Sequence, residues 1–288
     1  MNQYDSYGAC ASVAGITHTK INIPCQDASF CTTSHDYAFR IAAIADGVGS
    51  VANAQEAAIY VVHTICSLLS TRLSSLPSRM DEFDHGETND YADFIRYICC
   101  KTVEEVRDGL FELAEQNGES PFTYGCTLLL SVLHEAGCAI LQIGDGKIVA
   151  HQEDGWRLLS TPSACEYVNE VIALCSEQYL DDMRYSWHPT VDTCILGSDG
   201  VDFAFGTSIQ MTFTPHLAFL DPMRSYCIKN AMLYPTTNAN HPLLSASLIE
   251  LLSSEKMQSV TGDDMSLAII GKCKNKSRDC YWCVNREV

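Results

Sequence analysis

The sequence predicts a single α+β domain built around antiparallel strands, on three observations. Short apolar runs typical of strands stand before and after two long stretches whose apolar residues recur at helical spacing. No glycine-, serine- or proline-rich linker divides the 288 residues. Residues 40–62 have the pattern of a buried strand that ends on Asp46, a turn through Gly47 and Gly49, and a helix.

The first half is predicted to form three strands and then two helices. The second and third strands make a hairpin that would place Asp27 next to Asp46. Two consecutive long helices after strands favour a helical layer that covers a sheet. The predicted bounds are strands at residues 7–14, from 27 onward and at 37–45, a loop at 16–27 closed by Pro24, helices at 53–73 with Asn53 as a candidate cap and at 91–116, and an acidic loop at 81–90.

The second half returns to strands. Three runs, at residues 124–133, 138–143 and 147–151, predict a meander of adjacent antiparallel strands, and its middle strand leads to Asp145. A further buried strand that starts at residue 193 ends in Asp199. The remaining predicted elements are a loop with one helical turn at 162–180, helices near 222–232 and at 243–254, and a last strand at 265–271.

The charge balance restricts the classes of partner. The chain has 36 acidic and 18 basic residues, which gives a formal charge of −18. Nucleic acids and anionic membrane surfaces are disfavoured as partners because phosphate contacts need clustered Lys and Arg. The same excess is compatible with divalent cations, although most acidic surfaces are only solvated faces.

The sequence is expected to encode a soluble, cytoplasmic protein. Its start has neither the basic nor the apolar region of a signal peptide. The longest apolar helical segment, near Ala57 to Leu69, is too short to span a bilayer. Most of the 15 cysteines stand in apolar runs, where a reduced thiol acts as a small hydrophobe, so they are expected to be free.

Four aspartates adjoin glycine at predicted strand edges, and Asp27 is a fifth carboxylate at such an edge. One strand that ends in Asp-Gly is a common turn, but the repetition indicates a cluster. Clustered carboxylates repel one another, which raises the pKa of some of them and destabilises the fold unless cations offset the charge. The four are Asp46, Asp145, Asp199 and Asp263.

The type of donor indicates the type of ion. Oxygen ligands alone favour Mg²⁺ or Mn²⁺ over zinc, which normally recruits His or Cys. The flanking glycines let the backbone approach an ion and free the carbonyl of Gly47 to coordinate. Two such ions would activate a water and orient a phosphoryl group, so the expected chemistry is metal-assisted hydrolysis of a phosphate ester.

Six short motifs follow one another along the chain: Gln26-Asp27-Ala28, Ala45-Asp46-Gly47-Val48-Gly49, Gly125-Cys126-Thr127, Ile143-Gly144-Asp145-Gly146, Ser198-Asp199-Gly200 and Gly262-Asp263-Asp264-Met265-Ser266. Together they resemble the metal-dependent protein phosphatase 2C family, in particular its bacterial-type branch, over residues 7–271. The resemblance implies a four-layer α-β-β-α sandwich of two antiparallel sheets flanked by helices, with metals in a cleft at one edge. It divides the chain into a phosphatase-like domain at 1–271 and a cysteine-containing tail at 272–288.

The resemblance also implies ligands for two ions. Asp46 resembles the carboxylate that bridges both ions, and Gly47 resembles the residue whose backbone carbonyl is a ligand. Asp199 and Asp263 match the ligands of the second ion. Asp46 and Asp199 are therefore the expected catalytic residues.

Two further aspartates have implied supporting roles. Asp27 resembles the aspartate that holds metal-bound water, and Asp145 resembles the one associated with a third, weaker ion. The segment 166–170 is similar to a family loop that is interpreted as structural.

Three positions depart from the family pattern. Asn22 stands in place of an arginine that grips the substrate phosphate, and an amide does not replace bidentate guanidinium recognition. Val48 stands where animal members have a histidine thought to act as general acid, and Gln26 replaces an acidic residue. His18, Lys20 and Asn22 are the candidates for phosphate contact; for His18 the alternative is a loop residue with no role.

The leading hypothesis is a Mn- or Mg-dependent serine/threonine protein phosphatase that hydrolyses phosphoester bonds with a water activated by two metal ions. Its implied partners in signalling are a phosphorylated protein and a cognate Ser/Thr kinase, and it is expected to be a monomer. One alternative is a degenerate phosphatase-like module that binds a phosphoprotein or a kinase without turnover. A calcium-stabilised binding module is a third hypothesis, disfavoured because no Asp-x-Asp-x-Asp-Gly loop is present.

The C-terminal tail carries a possible metal-ligand pattern of its own. Cys273, Cys280 and Cys283 offer three thiolates without an obvious fourth ligand, so a zinc site and a packed or unstructured tail are both open. Substrate specificity is expected to lie in residues 201–241 and 81–90.

Overall fold

The structure is a computed structural model that describes residues 5–74, 88–160, 172–209, 212–234 and 240–273. These residues form two five-stranded antiparallel sheets, one two-stranded hairpin and eight α-helices. The strands are β1 (Asp5–Val13), β2 (Ala28–Thr33), β3 (Arg40–Ala45), β4 (Leu128–His134), β5 (Gly137–Ile143), β6 (Lys147–Gln152), β7 (Gly155–Leu158), β8 (Arg184–His188), β9 (Thr193–Gly197), β10 (Gly206–Ile209), β11 (Thr212–Pro215) and β12 (Met265–Cys273). The helices are α1 (Ile16–Lys20), α2 (Ala54–Ser74), α3 (Thr88–Gln116), α4 (Tyr179–Asp182), α5 (Asp202–Phe205), α6 (Leu217–Leu233), α7 (Pro242–Leu252) and α8 (Glu255–Gln258).

The two large sheets pack face to face, with helices on both outer sides. The first sheet has the strand order β1-β12-β9-β6-β7, and the second has the order β2-β3-β4-β5-β8. Helices α2 and α3 cover the second sheet, and α6 and α7 cover the first. This arrangement confirms the four-layer sandwich.

The space between the sheets is filled by apolar side chains from both. Ile44 and Leu129 of the second sheet lie in one buried cluster with Ile148, Leu196 and Ile270 of the first. Every residue of β3, β4 and β5 is buried, because these strands have the other sheet on one side and helices on the other.

Helix α2 is the one helix in the described ranges that is long and apolar enough, by length and composition, to cross a membrane. The apolar segment at 57–69 was expected to be too short to span a bilayer, but the whole helix is longer than that segment. Half of its most apolar window is buried, and it packs against β2, β3 and α3. Burial in the domain core accounts for its composition.

The predicted three-stranded meander is wrong. Strands β4 and β5 form the expected hairpin, but β6 pairs with β7 and β9 of the first sheet rather than with β5. Gly144 and Gly146 have φ values of +85° and +90°, and their left-handed backbone turns the chain out of the second sheet between β5 and β6. Periodicity did not reveal this because strands buried on both faces look alike in either sheet.

Several elements differ from their predicted bounds. The predicted loop at 16–27 contains the five-residue helix α1. The hairpin β10–β11 and strands β7 and β8 were not predicted; β8 has half-buried residues throughout, so it lacks alternation. Helix α6 begins five residues before the predicted helix and contains Pro222, and β12 continues to Cys273.

Some predictions fall on residues outside the described part of the chain. These are the loop at 81–87, the segment 166–170 and the tail with Cys280 and Cys283. In the described part, the expectation of free thiols agrees with the structure: Cys66, Cys126 and nine other cysteines are free.

Candidate functional site

Asp27 and Asp46 meet at the open end of the β2–β3 hairpin. Ala28 and Ala45 are the last paired residues of that ladder, so the two aspartates lie just beyond this pair, one on each side of the hairpin. Their side chains are within hydrogen-bonding contact. The hairpin therefore brings these two carboxylates together, as the sequence predicts.

The backbone around Asp46 is held by the residues that precede β4. Asp46 N donates to Thr127 Oγ1 at 3.0 Å, and Thr127 N donates to the Asp46 carbonyl at 2.8 Å. Val48 N donates to the Gly125 carbonyl at 2.9 Å. Between these two bonds Gly47 occupies a non-hydrogen-bonded position of the bridge, so its own carbonyl points away from the pair.

Gly47 has no space for a side chain. A Cβ atom there would lie 2.7 Å from the Gln26 carbonyl oxygen and 2.9 Å from Ala54 Cβ. This close packing joins the loop before β2 to the start of α2 through the aspartate turn.

The first sheet contributes Asp199 and Asp263 at the same edge. Ser198 N donates to the Ser266 carbonyl at 3.1 Å, and Ser266 N donates to Ser198 Oγ at 3.0 Å. These bonds extend the β9–β12 pairing by one residue and fix the start of the 3₁₀ turn at Asp199–Val201. The Asp199 and Asp263 side chains are both exposed at this edge.

Asp145 lies in the turn that carries the chain from the second sheet to the first. Gly144 N donates to Asp182 Oδ2 at 2.6 Å, and Arg184 Nη2 binds both the Gly144 carbonyl and, at 3.2 Å, Asp182 Oδ2. Asp182 and Arg184 therefore support this turn. Neither was predicted, because they precede and begin the unpredicted strand β8.

The electrostatics show that the aspartates are close neighbours. Burial raises the pKa of Asp46 well above its usual range, and the carboxylates of Asp27, Asp199 and Asp145 raise it further. Burial also raises the pKa of Asp27 to about 7, against hydrogen bonds from serine hydroxyls that lower it.

Asp199 is the shared neighbour of the remaining members. The pKa values of Asp145 and Asp263 are both raised, first by the partial burial of their carboxyl groups and then by the Asp199 carboxylate. The structure thus brings all five predicted aspartates to one edge of the sandwich, on segments from both sheets. Their roles as metal ligands stay predictions.

The carboxylates fit a divalent cation as donors, but they are neighbours rather than a closed cage. In the described ranges, no three His, Cys, Asp or Glu side chains already surround one point closely enough to hold an ion. Asp46 instead lies close enough to Asp27 and Asp199 for their carboxylates to raise its pKa beyond the effect of burial. Asp27 Oδ2 is buried without a hydrogen-bond partner among the described residues. A cation at this edge would offset the clustered negative charge and provide a partner for the unpaired oxygen.

Asp264 is a residue of the site that the sequence reasoning missed. It is 3% exposed, and its two oxygens accept hydrogen bonds from Gly15 N at 2.8 Å and Gln26 N at 2.6 Å. The signal was the Asp263-Asp264 doublet, because neighbouring side chains at a strand edge point to opposite sides. One carboxylate therefore faces outward while the other ties down the loop before β2.

The three candidates for phosphate contact lie on or next to α1. His18 Nδ1 lies 2.9 Å from Asp264 Oδ1, although the two are not aligned for a hydrogen bond. Lys20 and Asn22 are exposed, and Asn22 has a left-handed backbone with φ of +56°. His18 is thus the one candidate that the fold ties to the aspartate edge.

Comparison with known proteins gives the family. A sequence model of the family described as Protein phosphatase 2C matches residues 14–243, which is most of the chain. The chain belongs to the protein phosphatase 2C family. As a protein phosphatase 2C it is a serine/threonine phosphoprotein phosphatase, an enzyme that hydrolyses phosphoric monoesters. Membership also implies that the enzyme depends on metal ions.

Individual relatives agree with this assignment. The chain is 26% identical over 265 residues to serine/threonine-protein phosphatase 3 of Escherichia coli (strain K12), covering 90% of this chain and 95% of the relative. The fold is similar to that of a bacterial serine phosphatase, with a TM-score of 0.60 at 11% sequence identity. The match covers 94% of this chain and 99% of the bacterial phosphatase chain. The fold also matches the catalytic domain of the phosphatase PstP in complex with 2 manganese ions, with a TM-score of 0.59 at 12% identity, over 93% and 99% of the two chains.

Proposed function

We propose that the aspartate edge holds two Mn²⁺ or Mg²⁺ ions and hydrolyses phosphoserine and phosphothreonine of a protein substrate. The proposed ligands are Asp46, the Gly47 carbonyl, Asp199 and Asp263. Asp27 acts through water, and Asp145 faces a third, weaker ion. The observation that carries the proposal is that these carboxylates converge at strand ends from both sheets, although the pKa values of Asp46, Asp145 and Asp263 are raised there.

The choice of ion follows from the donors. All the proposed ligand atoms are oxygens, which suit Mg²⁺ or Mn²⁺. The manganese in the PstP domain supports the same ions here. When bound, two divalent ions supply positive charge that activates a water and offsets the charge on the phosphoryl oxygens.

The chain itself contributes rigid placement. Thr127 forms hydrogen bonds with both the amide and the carbonyl of Asp46, so the backbone that carries this carboxylate is fixed at the end of β3. A rigid backbone matters because ligands and substrate must stay within a fraction of an ångström of the productive geometry. Asp27 Oδ2 is the buried acceptor available to a water at this place.

Phosphate contact is proposed for His18, with Lys20 and Asn22 as the exposed alternatives. Asp264 occupies the Nδ1 side of the His18 ring, which leaves Nε2 as the nitrogen that can donate to a phosphate oxygen. A single imidazole donor is weaker than the bidentate guanidinium it replaces, so substrate affinity is expected to depend more on the metal ions.

The test is hydrolysis of phosphoserine and phosphothreonine peptides by the full chain. Activity should disappear with EDTA, return with Mn²⁺, and fall on the order of a hundredfold or more in Asp46→Asn and Asp199→Asn. Asp93→Asn, at an exposed position of α3, is the matched control and should be unchanged. Activity that survives chelation or either site substitution would overturn the two-metal proposal. Mn²⁺ binding without turnover of any phosphopeptide would favour a binding module instead.

A further inference from the structure

One lysine lies among the acidic segments of the site and was not among the predicted site residues. Lys147 is the first residue of β6, two residues after Asp145. Its Nζ lies 3.1 Å from Asp202 Oδ2 and donates to the Asp202 carbonyl oxygen at 3.4 Å. One ammonium group therefore holds both the side chain and the backbone of the same residue.

Asp202 belongs to the segment that carries Asp199. It is the first residue of α5 and follows the 3₁₀ turn that Asp199 begins. Strands β6 and β9 are paired through Lys147 and Gly197, but β9 ends at Gly197. Beyond that point the Lys147–Asp202 contact connects the Asp145 turn to the Asp199 segment.

Asp202 also adds negative charge to this corner. It lies within electrostatic range of both Asp199 and Asp145, and Lys147 opposes them. Asp202 Oδ1 is buried and has no hydrogen-bond partner in the described ranges. The corner thus contains three carboxylates, one of which has an unused oxygen and is neutralised by a lysine.

We propose that Lys147 is a positioning residue that serves as the resident cation at the Asp145–Asp199–Asp202 corner. Its ammonium occupies Asp202 and offsets its charge, so the corner attracts a third diffusible ion only weakly. Removal of the ammonium frees Asp202 to act with Asp145 and Asp199 on a divalent cation. The inference rests on the proposed two-metal function, because it concerns the ion that binds beyond those two.

The charge role and a purely structural role predict opposite results. If Lys147 only braced the fold, its loss would loosen the aspartate edge and weaken Mn²⁺ binding. If it is a resident cation, Lys147→Met should tighten the weakest Mn²⁺ site roughly tenfold, as expected for one unit of charge at this range. Lys147→Arg keeps the charge and should behave as the unmodified protein does.

The experiment counts bound Mn²⁺ by calorimetry and electron paramagnetic resonance on the full chain after removal of metal by EDTA. Adding Asp202→Asn to Lys147→Met should abolish the gain, since the freed carboxylate is then absent. Lys101→Met is the matched control, because Lys101 forms an ion pair with Glu104 on the surface of α3. Unchanged or weaker Mn²⁺ binding in Lys147→Met, or a gain that persists without the Asp202 carboxylate, would overturn the proposal.

Two features keep this test separate from the test of the proposed function. If Lys147→Met does not fold, Mn²⁺ binding is measured instead on the Lys147→Arg variant and on the single Asp202→Asn variant. Turnover of a phosphoserine peptide is measured on the same samples: Mn²⁺ binding without turnover in the unmodified protein would refute the function, whereas the Mn²⁺ counts alone decide the role of Lys147.

Discussion

Replacing Asp27 by asparagine should stabilise the metal-free protein at pH 8. The pKa of Asp27 is about 7 in the folded protein against an ordinary value of 3.8, with burial as the main cause. The folded state therefore retains a proton that the unfolded state has lost, and stability declines as pH rises from about 4 through 7. With about 1.4 kcal/mol per pH unit, this one carboxyl lowers the free energy of unfolding on the order of 2–3 kcal/mol between pH 5 and pH 8.

The assay is thermal unfolding of the EDTA-treated protein and the Asp27→Asn variant between pH 5 and pH 8. Each kcal/mol corresponds to about 2–4 °C in a domain of this size, so the variant should gain roughly 5–10 °C on the parent at pH 8 relative to pH 5. Saturating Mn²⁺ should reverse the order, because the ions neutralise the parent's charge. Asp93→Asn is the exposed control. A parent whose Tm is flat or rises with pH in EDTA, or a variant that is less stable at pH 8, would refute the inferred crowding of charge.

Three further outcomes are expected. Gly200→Ala should lower the free energy of unfolding in urea by about 3 kcal/mol, because its Cβ would lie 1.9 Å from the Asp264 carbonyl oxygen. Gly49→Ala is the control and should cost little, because its Cβ would lie 3.6 Å from its nearest neighbour, and equal effects of the two substitutions would contradict this packing. Asp264→Ala should cost about 3 kcal/mol and expose the loop before β2 to hydrogen exchange, since Gly15 N and Gln26 N lose their charged acceptor; unchanged protection would argue against the tie. Mn²⁺ binding should release protons below pH 8 and tighten by up to roughly tenfold per pH unit for each proton, measured by calorimetry in buffers of different ionisation enthalpy; pH-independent binding would show that the aspartates are already ionised.

The local pattern predicted the aspartates because their positions follow from short-range rules. A strand must stop where its apolar run stops, and an aspartate next to glycine marks that point. Asp46 and its neighbour Asp27 also belong to one hairpin, so their proximity follows from sequential pairing. Helices α2 and α3 were predicted close to their true bounds because their apolar spacing extends over many turns.

Short or doubly buried elements gave no such signal. Strand β6 looked like the third strand of a meander, although a turn of two left-handed glycines takes it to the other sheet. Strand β8 is half-buried throughout, and strands β10 and β11 have only four residues each, which is too short for a period to be read from the sequence. Sequence position does not say which sheet a strand joins, because pairing energy depends on partners far along the chain.

The sequence was sufficient to predict the family, the four layers that the family implies, and five of the aspartates that lie at one edge of the sandwich. Their support is visible only in the folded protein, which buries Asp264 rather than Asp263, braces the Asp145 turn with Asp182, and pairs Lys147 with Asp202. The physical reason is that residue type and strand ends are local properties. Burial and charge compensation arise only when segments that are distant in the sequence, such as those of Gln26 and Asp264, are brought into contact.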